Sequence, residues 1–238
     1  MKIPDWKWIL KWKLVYRIRR GHSYARDYEL AVRRALTPIS GDAFWDVGAN
    51  TGYYTFMLAR NFRHVTAFEP HPTAIEILQR KIVKRHLSNV SLIPVALSDS
   101  SGRAKLYLHT EVREKTIGSS NSLISPSNVE GRAIPDESTR APVHFVEVET
   151  DTVDNLLGSK RVSLMKIDVE GAEFLVLGGA KKALEEGRVD YLMIELHDEE
   201  RKNELDSLLE SRNYRTSWLD YAPGSGVSRV LATLDKLS

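Results

Sequence analysis

The chain has 238 residues, 42 % apolar and 28 % charged, with a formal net charge of +2. That composition suits one large globular domain and is too apolar for a disordered chain. There is no cysteine, which excludes disulfides, thiolate metal sites and a cysteine nucleophile, and it fits a reducing, cytoplasmic location.

The first 20 residues carry seven basic side chains against Asp5, a local +6 that leaves −4 on the rest of the chain. Trp6, Trp8 and Trp12 share this stretch. Lys11 and Arg17 interrupt its apolar runs, so neither a signal peptide nor a membrane span is expected. Wound as a helix, Trp8, Ile9, Trp12, Val15 and Tyr16 fall on one face. Residues 1–23 are therefore expected to form an arm that packs on the domain or on a second copy. An anionic membrane surface, at the inner face of the cell membrane, is the next candidate. Nucleic acid comes last, because the body of the chain is acidic.

From residue 24 onward, strands and helices alternate. Residues 24–37 read as a helix stopped by Pro38, and FWDVG (44–48) as a short strand. Residues 51–62 are helical, VTAFEP (65–70) is the second strand, and Pro72 opens a helix running to about His86. VSLIPVAL (90–97) reads as the third strand, VSLMKIDV (162–169) as the fourth and DYLMIELH (190–197) as the fifth. Residues 171–187 form a helix with a glycine break, and 198–213 a helix led by acids. Residues 214–219 and 228–234 make two final strands. Apolar strands alternating with helices predict a parallel sheet covered on both faces. Residues 104–109 and 143–149 alternate like strands around a polar stretch. The insertion 104–150 is thus expected to be a β-hairpin or loop between strands three and four, serving as a substrate lid.

Ligands of such a sheet lie beyond the carboxyl ends of its strands. There the sequence places Asp46, Gly48, Asn50, Thr51 and Gly52 after strand one, Glu69 after strand two, Asp168 and Glu170 after strand four, and Glu195 and His197 at strand five. Gly48 and Gly52 let the backbone turn tightly against a ligand. Glu69, 17 residues past Gly52, suits the two hydroxyls of an adenosine ribose. The loop lacks the middle glycine of G-x-G-x-x-G and opens with an acid, which disfavours a dinucleotide diphosphate and suits an ammonium group. A ligand with a ribose, no phosphate and an amino-acid tail is S-adenosylmethionine.

DVGANTGYYT, AFEPHP, PVALSDSSG, KIDVEGAE and IELH, in this order, resemble the FkbM-type family of S-adenosylmethionine-dependent methyltransferases over about residues 40–220. The resemblance implies an α/β, seven-stranded Rossmann-like class I methyltransferase fold with strand order 3-2-1-4-5-7-6 and the last strand antiparallel. It implies that Asp46, Gly48, Asn50, Thr51, Gly52 and Glu69 line the cofactor, that Ala96, Leu97 and Ser98 lie near the adenine, and that Asp168 faces the methyl group. It also implies O-methylation, often of sugars or other secondary metabolites.

Transfer to an alcohol needs alignment and a base. Asp168, Glu170, Glu195 and His197 are the candidates, with His197 titrating nearest neutrality. Each also has a structural role to weigh. Asp168 could cap the following helix, Glu170 could be a first-turn acid, Glu195 could pair with Lys166 or an arginine, and His197 could be an N-cap. Asp168, Glu195 and His197 could instead hold a divalent ion, although their spacing is not diagnostic and no metal is expected. Asn121 and Ser122 could contact cofactor or substrate, but a solvated loop is the expectation. The expected partner is the hydroxyl of a small molecule, glycan or lipid-linked sugar. An RNA methyltransferase using the basic arm, and a non-catalytic membrane-surface protein of the same fold, are the alternatives. Assembly as a homo-oligomer is left open.

Overall fold

The computed structural model describes residues 30–108, 121–124, 144–220 and 227–235. The arm at 1–23, the start of the first predicted helix and most of the polar stretch inside 104–150 lie outside these residues.

The described chain forms strands β1 (Gly41–Val47), β2 (Phe62–Phe68), β3 (Val90–Ile93), β4 (Ala96–Leu97), β5 (Gly102–Leu108), β6 (His144–Asp151), β7 (Val162–Ile167), β8 (Val189–Leu196), β9 (Tyr214–Asp220) and β10 (Ser228–Leu234). The helices are α1 (Leu30–Leu36), α2 (Tyr53–Leu58), α3 (Pro72–Lys84), α4 (Val153–Leu157), α5 (Glu173–Gly178), α6 (Lys181–Glu185) and α7 (Lys202–Glu210). The main sheet has seven strands in the order β3-β2-β1-β7-β8-β10-β9. Pairing is parallel through β8, and β10 runs antiparallel to both β8 and β9. This is the order implied by the resemblance, and with it the class I methyltransferase fold.

Side chains of the central strands alternate between two cores, as the period of two requires. On one face Trp45, Val47, Met165, Ile167, Leu192 and Ile194 pack with α4, α5, α6 and α7. On the other Phe44, Val65, Leu164 and Met193 pack with Val32 and Leu36 of α1, Tyr54 and Leu58 of α2, and Leu78 and Ile82 of α3. Both faces are apolar, which explains why β7, VSLMKI, is apolar but for Ser163 and Lys166.

Three expectations change in detail. Residues 90–97 are two strands, because Pro94 has no N–H to continue the ladder; β4 instead pairs with β6 in a second, three-stranded sheet of order β4-β6-β5. A helix unforeseen in the sequence, α4, is capped by Thr152, whose hydroxyl accepts from the Asn155 N–H at 3.1 Å. The acid-led helix starts as a 3-10 turn (Glu199–Arg201) whose N-cap is Asp198, not His197. In the small sheet, β5 pairs antiparallel with β6, and Ser122 bridges back to Tyr107 through two backbone hydrogen bonds of 2.8 and 3.1 Å.

Candidate active site

A cleft partly open to solvent lies beyond the carboxyl ends of β1, β2 and β7. Its first wall is the turn after β1. Gly48, Asn50 and Gly52 have φ of +73°, +48° and +90°, a left-handed run that glycine adopts without strain and asparagine tolerates. Gly48 also has no room for a side chain: a Cβ would stand 1.9 Å from the Asp168 carbonyl oxygen. The N–H groups of Gly48 and Ala49 both donate to the Phe68 carbonyl at 3.0 Å, which fastens this turn to the end of β2.

Glu69 follows β2 and is only 6 % exposed. One carboxylate oxygen accepts the Asn50 N–H at 2.7 Å and the other the His71 N–H at 2.8 Å. Burial pushes the Glu69 carboxyl above the usual range, and the two backbone donors pull against it. The acid is therefore fixed at the junction of the glycine turn and α3, on the cleft wall.

The opposite wall is the segment after β7, Asp168 to Ala172. Beneath it lies a buried ion-pair network. Lys166 stands 3.1 Å from Asp168 and 3.5 Å from Asp46, and donates to the Gly48 carbonyl at 3.2 Å. Parallel pairing places Asp46 directly beside Lys166 across β1 and β7. Burial works against the lysine charge, but Asp168 and Asp46 outweigh it and raise its pKa.

His197, at the end of β8, is clamped between two acids. Its Nδ1 lies 2.9 Å from Glu173 and its Nε2 3.2 Å from Glu170. Glu173 is 1 % exposed and also accepts the Gly171 N–H at 2.9 Å. Burial would lower the ring's pKa, but the two glutamates push it up to about 11. The imidazole is thus a cation at neutral pH, without a lone pair to accept a proton. Glu195 makes a two-pronged pair with Arg229, at 2.7 and 2.8 Å, its neighbour across β8 and β10. Burial raises the Glu195 carboxyl and Asp168 adds to it, against the pull of Arg229.

Of the residues singled out in the sequence, Gly48, Asn50, Glu69, Ala96, Leu97, Asp168 and Glu170 line the cleft. Asp46 does not; it is fully buried behind the turn, bonded to the Thr55 hydroxyl and paired with Lys166. The Thr51 carbonyl accepts from Lys81 at 2.8 Å. A Cβ on Gly52 would meet Leu78 and Phe56, each at 2.5 Å, so Gly52 serves the packing of α2 on α3. Ser98 is buried beside Leu97 and donates its N–H to Asp151. Asp168 caps no helix, since the N-cap of α5 is Ala172. Glu170 lies before α5 in a left-handed conformation, φ +55°, and the first-turn acid is Glu173. Asn121, expected in solvent, lies on the cleft wall with Leu123.

The sequence does not single out Lys166 or Glu173 for these roles, and the arginine it allows as a partner of Glu195 is Arg229. Lys166 had a signal, a lone cation in an apolar strand, which demands a buried counter-charge. Ligand atoms of Asp168, Glu170 and His197 lie within 4.8 Å of one another. Each already faces an opposite charge, and Glu195, the third member of the metal set considered from sequence, is held by Arg229. The cluster therefore has the make-up of an ion-pair network.

The profile of the methyltransferase FkbM domain matches residues 46–216. The chain belongs to the FkbM methyltransferase family. This is a family of S-adenosylmethionine-dependent methyltransferases. The chain is similar to the hexuronic acid methyltransferase AglP of Haloferax volcanii, 28 % identical over 159 residues that cover 66 % of this chain and 56 % of that one. It is also similar to the 31-O-demethyl-FK506 methyltransferase FkbM of Streptomyces tacrolimicus, 27 % identical over 176 residues and 66 % of each chain. The crystal structure of an FkbM methyltransferase from Methylobacillus flagellatus superposes with a TM-score of 0.54 at 16 % identity, covering 81 % of this chain and 43 % of that one. The chain spans 56 to 66 % of the length of the curated relatives it matches. Among the described residues no helix is long and apolar enough to cross a membrane.

Proposed function

We propose that this FkbM-family chain transfers the methyl group of S-adenosylmethionine to a hydroxyl of a sugar, glycan, lipid-linked sugar or related small metabolite. The observation that carries the reading is one cleft with two unlike walls. A glycine turn and a buried, backbone-anchored acid form one, and two carboxylates of the 168–170 turn form the other. On this reading Glu69 accepts the ribose hydroxyls, the turn around Gly48 and Asn50 takes the amino-acid tail, and Ala96 and Leu97 form an apolar wall for the base.

When bound, the donor supplies a methyl group already activated on a sulfonium, so the protein has to align it and take a proton. Asp168 and Glu170 are the carboxylates on the cleft that can accept the proton of an alcohol. His197, held as a cation, steadies Glu170 and is not itself the base. Two relatives whose names carry a hexuronic acid and an O-demethylated acceptor support a hydroxylated small molecule.

The test is calorimetry with S-adenosylmethionine and with NAD, followed by transfer of labelled methyl to methyl glucoside, methyl glucuronide and bulk RNA. The reading expects binding of the sulfonium donor and label on a sugar. Binding of NAD alone would overturn the donor, and label on RNA alone would overturn the acceptor class.

A further inference from the structure

The glycine turn and the acceptor-side carboxylates share a buried cation that the proposed chemistry leaves without a task. Lys166 is 2 % exposed. It sits between Asp46, which is sealed from solvent, and Asp168, whose side chain is 23 % exposed and lines the cleft. The ring of Tyr54 lies 5.1 Å from its ammonium, and its hydrogen bond to the Gly48 carbonyl at 3.2 Å ties it to the turn. Within this trio, two carboxylates and one ammonium leave a single net negative charge, which Asp168 presents to the cleft beside Glu69 and Glu170.

We propose that Lys166 is a positioning residue that sets this charge, so that the cleft favours a cationic sulfonium over a neutral thioether. The inference rests on the reading that the donor lies in the cleft with its sulfur beside Asp168. Methyl transfer breaks the carbon–sulfur bond and returns the electron pair to sulfur, so substrate and product of the donor differ by one positive charge. Without Lys166, two negative charges would hold the substrate too firmly and depend on pH for their own balance. Without Asp168, the trio would be neutral, and its share in telling the two apart would be lost. The effect is a difference between two ligands of nearly the same shape, which a merely structural lysine would weaken alike.

The experiment is calorimetry at pH 8 with S-adenosylmethionine and S-adenosylhomocysteine, reading the ratio of their dissociation constants. Asp168→Asn is expected to move the ratio about tenfold toward the thioether, the scale of one unit charge at partly screened distance. Lys166→Met is expected to move it about tenfold the other way. The double variant Asp46→Asn with Lys166→Met restores a single negative charge, and its ratio should return to within about threefold of wild type. If Lys166→Met does not fold, Asp46→Asn takes its place: it leaves Lys166 and Asp168 in balance, its ratio is expected to move about tenfold toward the thioether, and an unmoved ratio overturns the inference. An unmoved ratio in Asp168→Asn, or a double variant displaced as far as Asp168→Asn, overturns the inference. Wild-type protein that binds neither ligand overturns the donor reading itself, whereas binding with an unmoved ratio overturns this inference alone.

Discussion

Glu69 shows how much one side chain can be asked to do. Its carboxylate spends one lone pair on each of two backbone donors, and each oxygen keeps capacity for another hydrogen bond on the cleft side. Removing it takes away the group proposed to accept ribose hydroxyls and leaves the Asn50 and His71 N–H groups unpaired. Glu69→Ala is expected to weaken S-adenosylhomocysteine binding by about 1–3 kcal/mol, the worth of hydrogen bonds to a charged acceptor. Calorimetry of wild type and variant checks this, and equal affinities would place the ribose elsewhere. The place of Glu69 on the cleft wall is legible in the sequence, because it follows from an acid standing at a strand end. Lys166, Glu173 and Arg229 were harder to see. Their meaning lies in their partners: Asp46 is 120 positions from Lys166, and Glu195 is 34 positions from Arg229. Only the strand register brings such pairs side by side.

Among the elements, β7 is the one the rest are built around. It pairs with β1 on one side and β8 on the other, and Leu164 faces Phe44 and Tyr191 across the two ladders. Leu164 is fully buried. Leu164→Ala should lower unfolding stability by about 2–5 kcal/mol, the usual cost of emptying a core leucine site, as read by urea titration. At the edge of the fold a smaller effect is expected. Thr152→Ala removes the cap of α4 and should cost about 1 kcal/mol in the same assay. The difference between these two elements also explains what the sequence disclosed. The strands of the main sheet announce themselves by apolar runs, so their order of appearance was plain. Helix α4 is five residues long, too short for a periodic stripe, and it declares itself only through its capping threonine. β4 is two residues long; it merges with the preceding apolar run because hydrophobicity alone does not reveal a change of sheet.

At the scale of the whole molecule, the ion pairs behind the cleft couple folding to pH. His197 titrates near 6.5 when the chain is unfolded and near 11 in the folded state. A raised folded-state value means that the protonated ring stabilises the fold fully below pH 6.5. The contribution is then lost progressively as pH rises toward 11. His197→Gln should therefore be less stable than wild type at pH 6, and the gap should narrow steadily by pH 10. Urea midpoints of both proteins at pH 6, 8 and 10 check this, and a gap that widens with pH would contradict the clamp by Glu170 and Glu173.

The contact between Gly48 and the Asp168 carbonyl reaches further than its size suggests. Backbone meets backbone there, with no flexible side chain between to absorb a change. Two loops from distant parts of the chain consequently share one surface, and neither can be redrawn without disturbing its neighbour. Adaptation to a different methyl acceptor is then confined to regions hung outside that contact. The β5–β6 sheet, joined to the cleft through Ala96 and Leu97 and through the Asn121–Leu123 return, is such a region. A graft intended to retarget this scaffold belongs there, with residues 46–52 and 166–173 kept together as an indivisible block.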